Sequence, residues 1–64
     1  MDEVILAYVR DYEIDGEWHL WNIYSPYYSD TAIEKEFNQA KIDREFAEDA
    51  ELSIERWTVW TATD

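Results

Sequence analysis

Three carboxylates at alternate positions, Asp11, Glu13 and Asp15, are followed by Gly16 and are the first residues whose types and spacing could do chemistry. The order imitates the opening of an EF-hand loop, in which such side chains supply oxygen ligands to calcium. The twelfth position of that loop is Asn22, where calcium binding needs a bidentate Glu, and the flanking residues are typical of strands rather than helices. A turn between strands explains the same residues, and we expect no calcium site.

Catalysis and transition-metal binding have even less support. His19 is the single histidine and there is no Cys, so a metal site would need carboxylates brought in by folding. Two carboxylates could serve as acid and base, but they need a partly dry pocket to separate their pKa values, and a 64-residue chain rarely encloses one. The only glycine is Gly16, which excludes a glycine-rich phosphate loop. We expect neither an enzyme nor a cofactor.

The dominant property of the chain is negative charge. Sixteen Asp and Glu against five Lys and Arg give a formal net charge of −11, and self-repulsion at this density works against a compact state. Direct nucleic-acid binding is disfavoured, because phosphate binding needs clustered Lys and Arg, and the five cations here are scattered. We therefore expect the partner to be a protein with a basic surface.

Two groups of carboxylates have regular spacing. On a strand, the three alternating acids before Gly16 would project from one face at intervals of roughly 6.6–6.8 Å. On a helix, a second group would share one sector with Lys41. Like charges aligned in this way are mildly destabilising, so they are either solubilising charges or charges kept for binding. We favour binding for both groups, the first extended by Glu17 and the second made up of Asp30, Glu34, Glu45 and Glu48.

The elements that must position these residues are predicted to form one domain, 1–64. A β-branched and aromatic run from Val4 to Ile14 favours a strand. Asp15-Gly16 is typical of a two-residue type I′ turn, and residues 18–24 follow as a second strand. The sequence therefore predicts a β-hairpin with a tight turn.

A helix is predicted to begin near residue 30, where Thr31 and Glu34 stand at capping-box spacing. Ile42 and Phe46 fall nearly opposite the apolar face, so the helix either breaks around residues 41–45 or is broadly buried. We favour continuation to about Asp49. Alternation over residues 52–61 then predicts a third strand. The fold class expected is α+β, in the order β-β-α-β, with one helix packed on one face of a three-stranded antiparallel sheet.

The expected core places helix residues against apolar strand residues, and it leaves the four tryptophans unexplained. Trp18 and Trp21 are three residues apart, as are Trp57 and Trp60, so the members of each pair must point to opposite faces of the sheet. Either these rings shield a small core or they form a contact surface, since Trp and Tyr are enriched at interface hot spots. The core residues expected are Ile33, Phe37 and Ala40 against Leu6, Tyr8, Leu20 and Ile54.

The cellular setting is indicated by what the sequence lacks. Without Cys, no oxidising compartment is required. Asp2 and Glu3 follow Met1 where a secretory signal would be basic, and no apolar run approaches the roughly 18 residues of a membrane span. We expect a cytoplasmic protein with no membrane partner.

A short acidic chain without Cys, with spaced carboxylates and aromatic residues beside them, resembles the small acidic inhibitors encoded by bacteriophages and mobile elements. These are DNA-mimic proteins that include anti-restriction and anti-CRISPR proteins, and the β-β-α-β order also resembles small phage inhibitors of host RNA polymerase. The resemblance implies a protein that occludes the nucleic-acid-binding surface of a host nuclease, CRISPR complex or polymerase in the host cytoplasm.

The interpretation that follows is a binding protein without chemistry of its own. Carboxylates of both groups would meet Lys and Arg of the target, and tryptophans would anchor the contact. The alternative is a structural or regulatory module that forms a homodimer through an aromatic sheet face and is acidic only for solubility. The candidate site residues are Asp11, Glu13, Asp15, Glu17, Asp30, Glu34, Glu45 and Glu48, with Trp18, Trp21, Trp57 and Trp60.

Overall fold

A computed structural model describes residues 2–59 of the chain, with side chains from residue 3 to residue 58. The strands form one antiparallel sheet in the order β2-β1-β3, and the helix packs on one face of it. The predicted α+β class and β-β-α-β order are confirmed. The elements are β1 (Asp2–Arg10), β2 (Trp18–Tyr24), α1 (Asp30–Ile42) and β3 (Glu51–Val59).

The core lies between α1 and one face of the sheet. The predicted helix residues Ile33, Phe37 and Ala40 are all buried, because they recur at helical spacing on the side that meets the strands. The strands contribute Leu52 and Ile54 of β3, which are partly buried, and three buried residues of the central strand. Those three are Ile5, Ala7 and Val9.

The predicted strand contribution to the core was partly wrong. Ile54 packs there as expected, whereas Leu6, Tyr8 and Leu20 lie on the opposite face of the sheet. Both faces of β1 are apolar, so the alternation of its side chains alone does not show which face lies in the core. The helix lies over the face that has the small side chain of Ala7 at its centre.

The hairpin is present, but its turn is longer than predicted. β1 ends at Arg10 rather than near Ile14, and residues 11–17 connect it to β2. The side chain of Asp11 accepts a hydrogen bond from the backbone N–H of Glu13 at 2.9 Å, which favours a turn directly after the strand. Gly16 has a φ of 69°, the positive value expected there. The Asp11 carbonyl closes the turn by accepting from three N–H groups at 3.0–3.3 Å, those of Ile14, Asp15 and Gly16.

A β-bulge in β2 places Trp21 in the core. Ala7 pairs with Asn22 and Tyr8 with Leu20, so Trp21 is the extra residue without a partner in β1. Its ring meets three aromatic rings edge-on at centroid distances of 5.9–6.5 Å, those of Tyr24, Phe37 and Phe46.

The helix begins at a different cap from the one predicted. Ser29 is the N-cap, and its hydroxyl accepts a hydrogen bond from the N–H of Ala32 at 3.1 Å. Thr31, which was expected to cap the helix, lies inside its first turn together with Asp30, whose charge suits the positive end of the helix dipole.

The helix ends at Ile42, so the predicted continuation to Asp49 was wrong. Arg44 adopts a left-handed conformation with φ of 63°, and two hydrogen bonds complete a Schellman motif. The Glu45 N–H donates to the Ala40 carbonyl at 2.9 Å, and the Arg44 N–H donates to the Lys41 carbonyl at 3.1 Å. This reversal lets the following segment carry Phe46 into the aromatic cluster, with its ring 5.9 Å from that of Phe37.

Candidate functional site

The buried carboxylate of Asp11 joins the hairpin loop to the segment that follows α1. Only 7% of this residue is exposed. Its Oδ1 accepts from Glu13 N–H, and its Oδ2 accepts from Ala47 N–H, each at 2.9 Å. Asp11 therefore has a structural position rather than the binding position predicted for it, and it fixes two distant loops against each other.

This connection brings carboxylates of both predicted groups together. Glu13 from the hairpin loop and Glu45 and Glu48 from the segment after α1 line one open cleft of about 900 Å³. We call these three residues the acidic end. Two exposed isoleucines, Ile14 and Ile42, lie beside them.

Two cations also line this cleft. The ammonium group of Lys41 lies 4.9 Å from the centre of the Phe37 ring, so this cation makes a cation–π contact. Arg44 is held by the left-handed turn at the end of α1. Three exposed glutamates against these two cations leave the cleft negative.

The remaining acids of the predicted helical strip are elsewhere. Asp30 and Glu34 lie in the first turns of α1, and Asp30 is roughly 18 Å along the helix axis from Ile42 at the rise of an α-helix. Asp30 also accepts a hydrogen bond from Arg56 at 2.8 Å. The four acids predicted to share one helical sector are therefore divided between two ends of the domain.

Asp15 and Glu17 are exposed in the hairpin loop. Asp15 Oδ1 accepts from the Glu17 N–H at 2.9 Å, and Asp15 Oδ2 lies 2.6 Å from His19 Nε2. The backbone bond from Glu17, followed by the bond from His19, lowers the pKa of Asp15 below its ordinary value. Because the first three acids occupy a turn, the row of carboxylates predicted along one face of a strand was wrong.

The second candidate surface is the sheet face opposite α1, which we call the open face. No element among residues 2–59 covers it, and its side chains are those that alternate with the buried ones of β1, together with their neighbours on β2 and β3. Several large apolar groups there are strongly exposed, with 51% for Leu20, 62% for Ile23 and 52% for Trp57. The apolar members of the open face are Val4, Leu6, Tyr8, Trp18, Leu20, Ile23 and Trp57.

Arg10 closes one end of the open face. Its Nε donates to the Gly16 carbonyl at 2.6 Å, and its guanidinium lies 4.6 Å from the Tyr12 ring centre and 5.9 Å from that of Trp18. Glu51 on β3 is the cross-strand neighbour of Arg10. The Glu51 side chain is the main cause of the raised pKa of Tyr12. The hydrogen bond and the two aromatic contacts of Arg10 fix this cation at the rim nearest the hairpin loop, where Glu51 also lies.

A hollow of about 300 Å³ opens in the middle of the open face. Tyr8 and Trp18 form its aromatic walls, and Glu55 contributes a carboxylate. The small side chain of Ser53 leaves space between them. Glu55 also accepts a hydrogen bond from Trp57 Nε1 at 3.2 Å, which orients both side chains. The hollow combines aromatic surface with one negative charge.

The predicted anchoring tryptophans have different surroundings. Trp18 and Trp57 are exposed on the open face, while Trp21 points to the opposite face and packs in the core. The expectation that Trp18 and Trp21 lie on opposite faces is confirmed. Trp60 lies outside the described residues, so its predicted role stays a prediction.

Sequence reasoning missed Leu20, Ile23 and Glu55 as members of a surface. Leu20 was assigned to the core, and Ile23 and Glu55 were not singled out. The available signal was that both alternating faces of β1 are apolar while one helix can cover only one of them.

Two other kinds of site find no support in the described range. Among residues 2–59, no group of three or more His, Cys, Asp or Glu is arranged to hold a metal ion. The helix in this part of the chain is also too short and too polar to cross a bilayer.

Comparisons with protein-family models, curated protein sequences and solved structures found no match to this chain. The proposal that follows therefore depends on the two surfaces described above and on the charge of the chain.

Proposed function

We propose that this chain is a non-enzymatic acidic binding protein that occludes the basic nucleic-acid-binding surface of another protein. One observation supports this most directly: from residue 3 to residue 58, every carboxylate side chain except that of Asp11 is exposed. Within the same range the only Lys or Arg that forms an ion pair with a carboxylate is Arg56, with Asp30, while His19 forms a hydrogen bond with Asp15. The negative charge is therefore displayed to solvent rather than neutralised internally.

A surface of this kind suits partners that normally bind phosphates. Proteins that bind nucleic acids cluster Lys and Arg in grooves, and a carboxylate-bearing protein can be steered into such a groove by the same field. The acidic end adds preorganisation, because Asp11 holds the loops that carry Glu13, Glu45 and Glu48. The resemblance to small acidic phage inhibitors favours a host nuclease, CRISPR complex or polymerase as the target, and the host cytoplasm as the location.

The homodimeric module is the second candidate, and the open face is the observation in its favour. Exposed Trp, Leu and Ile on an uncovered sheet face are typical of a contact surface. Two copies would, however, bring together two chains of formal charge −11. A partner of opposite charge satisfies both the apolar face and the displayed acids.

The test is affinity capture from a bacterial lysate, with elution by increasing salt and identification of the captured proteins by mass spectrometry. We expect a nucleic-acid-handling protein that elutes at moderate salt and that duplex DNA or RNA displaces. Purified target and chain would then be titrated, with and without nucleic acid, to show competition for one surface.

A charge-matched pair of variants makes this test specific. Glu13→Gln, Glu45→Gln and Glu48→Gln together neutralise the acidic end, whereas Glu3→Gln, Glu36→Gln and Asp43→Asn together neutralise the same number of exposed acids that belong to no candidate site. We expect the first set to weaken binding about tenfold or more and the second set much less. Equal effects of the two sets, or capture of the bait alone, would contradict occlusion by a defined acidic surface.

A further inference from the structure

We infer that the open face is the seat of a basic amphipathic helix of the partner, with a Lys or Arg of that helix in the hollow formed by Tyr8, Trp18, Ser53 and Glu55. This inference deepens the proposed function, since it requires a basic partner, and it adds the secondary structure and the anchoring residue of that partner.

The sheet is apolar on both sides. An antiparallel sheet with one solvated face normally alternates apolar and polar residues. Here the outward positions of β1 include Val4, Leu6 and Tyr8, and their cross-strand neighbours include Ile23 and Trp57. A sheet of this composition is complete only with a layer on each side, and residues 2–59 supply one layer, α1.

The open face is about the size of one helix. Three strands at 4.7–4.9 Å spacing place the two outer strands roughly 10 Å apart, which is about the diameter of one α-helix. The nine residues of β1 extend for about 30 Å, the length of a helix of about 20 residues. The inner face of the same width is covered by a single helix, so the open face has room for one helix as well.

Charge is distributed unevenly across the open face. The β2 side offers the apolar groups of Trp18, Leu20 and Ile23, whereas the β3 side combines Trp57 with two carboxylates, Glu55 in the middle and Glu51 at the rim. A helix with an apolar stripe along β2 and cations toward β3 complements this arrangement.

The hollow specifies where one of those cations would lie. A Lys or Arg stem can lie against Tyr8 and Trp18 while its charged head reaches Glu55. The cation already present on this face, Arg10, is held at the rim by the Gly16 carbonyl and by Tyr12. The central carboxylate is thus available to a cation of the partner.

A second copy of this chain fits the open face less well. It would place Glu51 and Glu55 of each copy in one apolar contact, and each copy brings a formal charge of −11. The chemistry of the face therefore favours a cationic helix over self-association.

The experiment uses the full chain and a defined probe. The probe is a synthetic helical peptide of about 20 residues with Leu along one face and Lys on one flank. One control peptide has the same composition in scrambled order, and another has Glu in place of Lys. Backbone amide shifts in NMR would locate binding, and titration would give the Kd of each peptide. We expect the amphipathic basic peptide to shift the amides of Leu6, Tyr8, Ser53 and Glu55 and to bind at least about tenfold more tightly than either control.

Variants of the hollow test the anchoring residue. Glu55→Lys should weaken binding of the basic peptide about tenfold, whereas Glu36→Lys makes the same charge change on α1 and should have little effect. Ser53→Tyr fills the hollow without changing charge and should also weaken binding, while circular dichroism shows that each variant is folded. Equal binding of the scrambled peptide, shifts confined to the acidic end, or a concentration-dependent dimer with the open face protected would each overturn the inference.

These outcomes are separate from those of the proposed function. If the helical probe fails while lysate capture still recovers a nucleic-acid-handling protein through the acidic end, only the inference about the open face falls. If the probe binds as expected but no such protein is recovered, the open face stands and the proposal of occlusion falls.

Discussion

Asp11 is buried and stabilises the fold, whereas the other described carboxylate side chains are exposed. A buried carboxylate that accepts two backbone N–H bonds satisfies donors that would otherwise be buried without partners. One of those bonds joins residues 36 positions apart in the chain, Asp11 and Ala47. The orientation of the acidic end therefore depends on a residue that does not belong to its exposed surface.

Replacing Asp11 by Ala should remove both hydrogen bonds and leave the Ala47 N–H without its acceptor. We expect a loss of about 2–3 kcal/mol in the free energy of unfolding, measured by urea denaturation. Asp11→Asn retains one good acceptor and should cost less. A loss below about 0.5 kcal/mol for Asp11→Ala would show that the two loops are held by other contacts.

Asp15 gives the domain a stability contribution that depends on pH. Because the pKa of Asp15 is lower in the folded chain than the ordinary value of 3.8 for an Asp side chain, the ionised form favours folding. This contribution is complete above the unfolded pKa and is lost as the pH falls through the folded pKa.

The variant Asp15→Asn should therefore be less stable than the original chain at neutral pH, and the difference should disappear at about pH 2. Urea denaturation of both proteins at the two pH values provides the measurement. Glu17→Gln removes one neighbouring exposed charge but keeps the backbone N–H that bonds to Asp15, so it is the control for the loss of charge alone. If the Asp15→Asn variant were less stable by the same amount at neutral pH and at about pH 2, ionisation of the Asp15 carboxylate would contribute nothing to stability.

At the scale of the elements, the helix end decides where the second group of acids lies. A left-handed residue other than Gly costs about 1–2 kcal/mol, and here that residue is Arg44. The cost is accepted in a motif that sends Phe46 back to Trp21 and Phe37. The same reversal separates Glu45 and Glu48 from Asp30 and Glu34 and moves them beside the hairpin loop.

Arg44→Gly should relieve this backbone strain and raise the free energy of unfolding by about 1 kcal/mol. Arg44→Ala removes the same charge but keeps a side chain at positive φ, so it should give no comparable gain. Thermal and urea denaturation of the two variants measure the difference. If both variants gained equally, the benefit would come from the charge and not from the backbone.

Trp21, which the bulge in β2 places in the core, should contribute more to stability than Trp57 on β3. Trp21→Ala removes a ring that meets three aromatic neighbours and should cost about 3 kcal/mol. Trp57→Ala removes a half-exposed ring from the open face and should cost less than about 1 kcal/mol. Urea denaturation followed by circular dichroism compares the two, and similar losses would contradict the assignment of Trp21 to the core.

The element order could be predicted from the sequence because it depends on local patterns: a β-branched run, a glycine turn and a helical repeat. The bounds that set the site could not. The turn begins at Asp11, whose side chain binds the distant Ala47 N–H as well as that of Glu13. The helix ends at Ile42 in a Schellman motif that places Phe46 against distant rings. The convergence of acids at one end follows from those tertiary contacts, which residue spacing does not encode.

For the whole molecule, folding and binding should respond to salt in opposite directions. The chain repels itself at a formal charge of −11, and a basic partner is attracted by the same charge. Screening reduces both effects, since the Debye length falls from about 10 Å at 0.1 M salt to about 3 Å at 1 M.

We therefore expect the Tm of the free chain to rise between low salt and about 0.5 M NaCl, while its affinity for a basic partner falls steeply. Differential scanning calorimetry gives the first quantity, and titration with the basic helical peptide gives the second. Sucrose at constant ionic strength is the control for general solute effects. A Tm that falls with added NaCl would contradict net self-repulsion in the folded state.

The pairing of Asp2 with Val59 brings the start of β1 and the end of β3 side by side, at the end of the sheet remote from the hairpin loop. A fluorophore or a surface linker joined directly to Asp2 or Val59 would therefore start from the side away from the acidic end. The same adjacency makes residues 2–59 suited to circular permutation, because a short linker could join the start of β1 to the end of β3 while a new opening is made in an exposed loop.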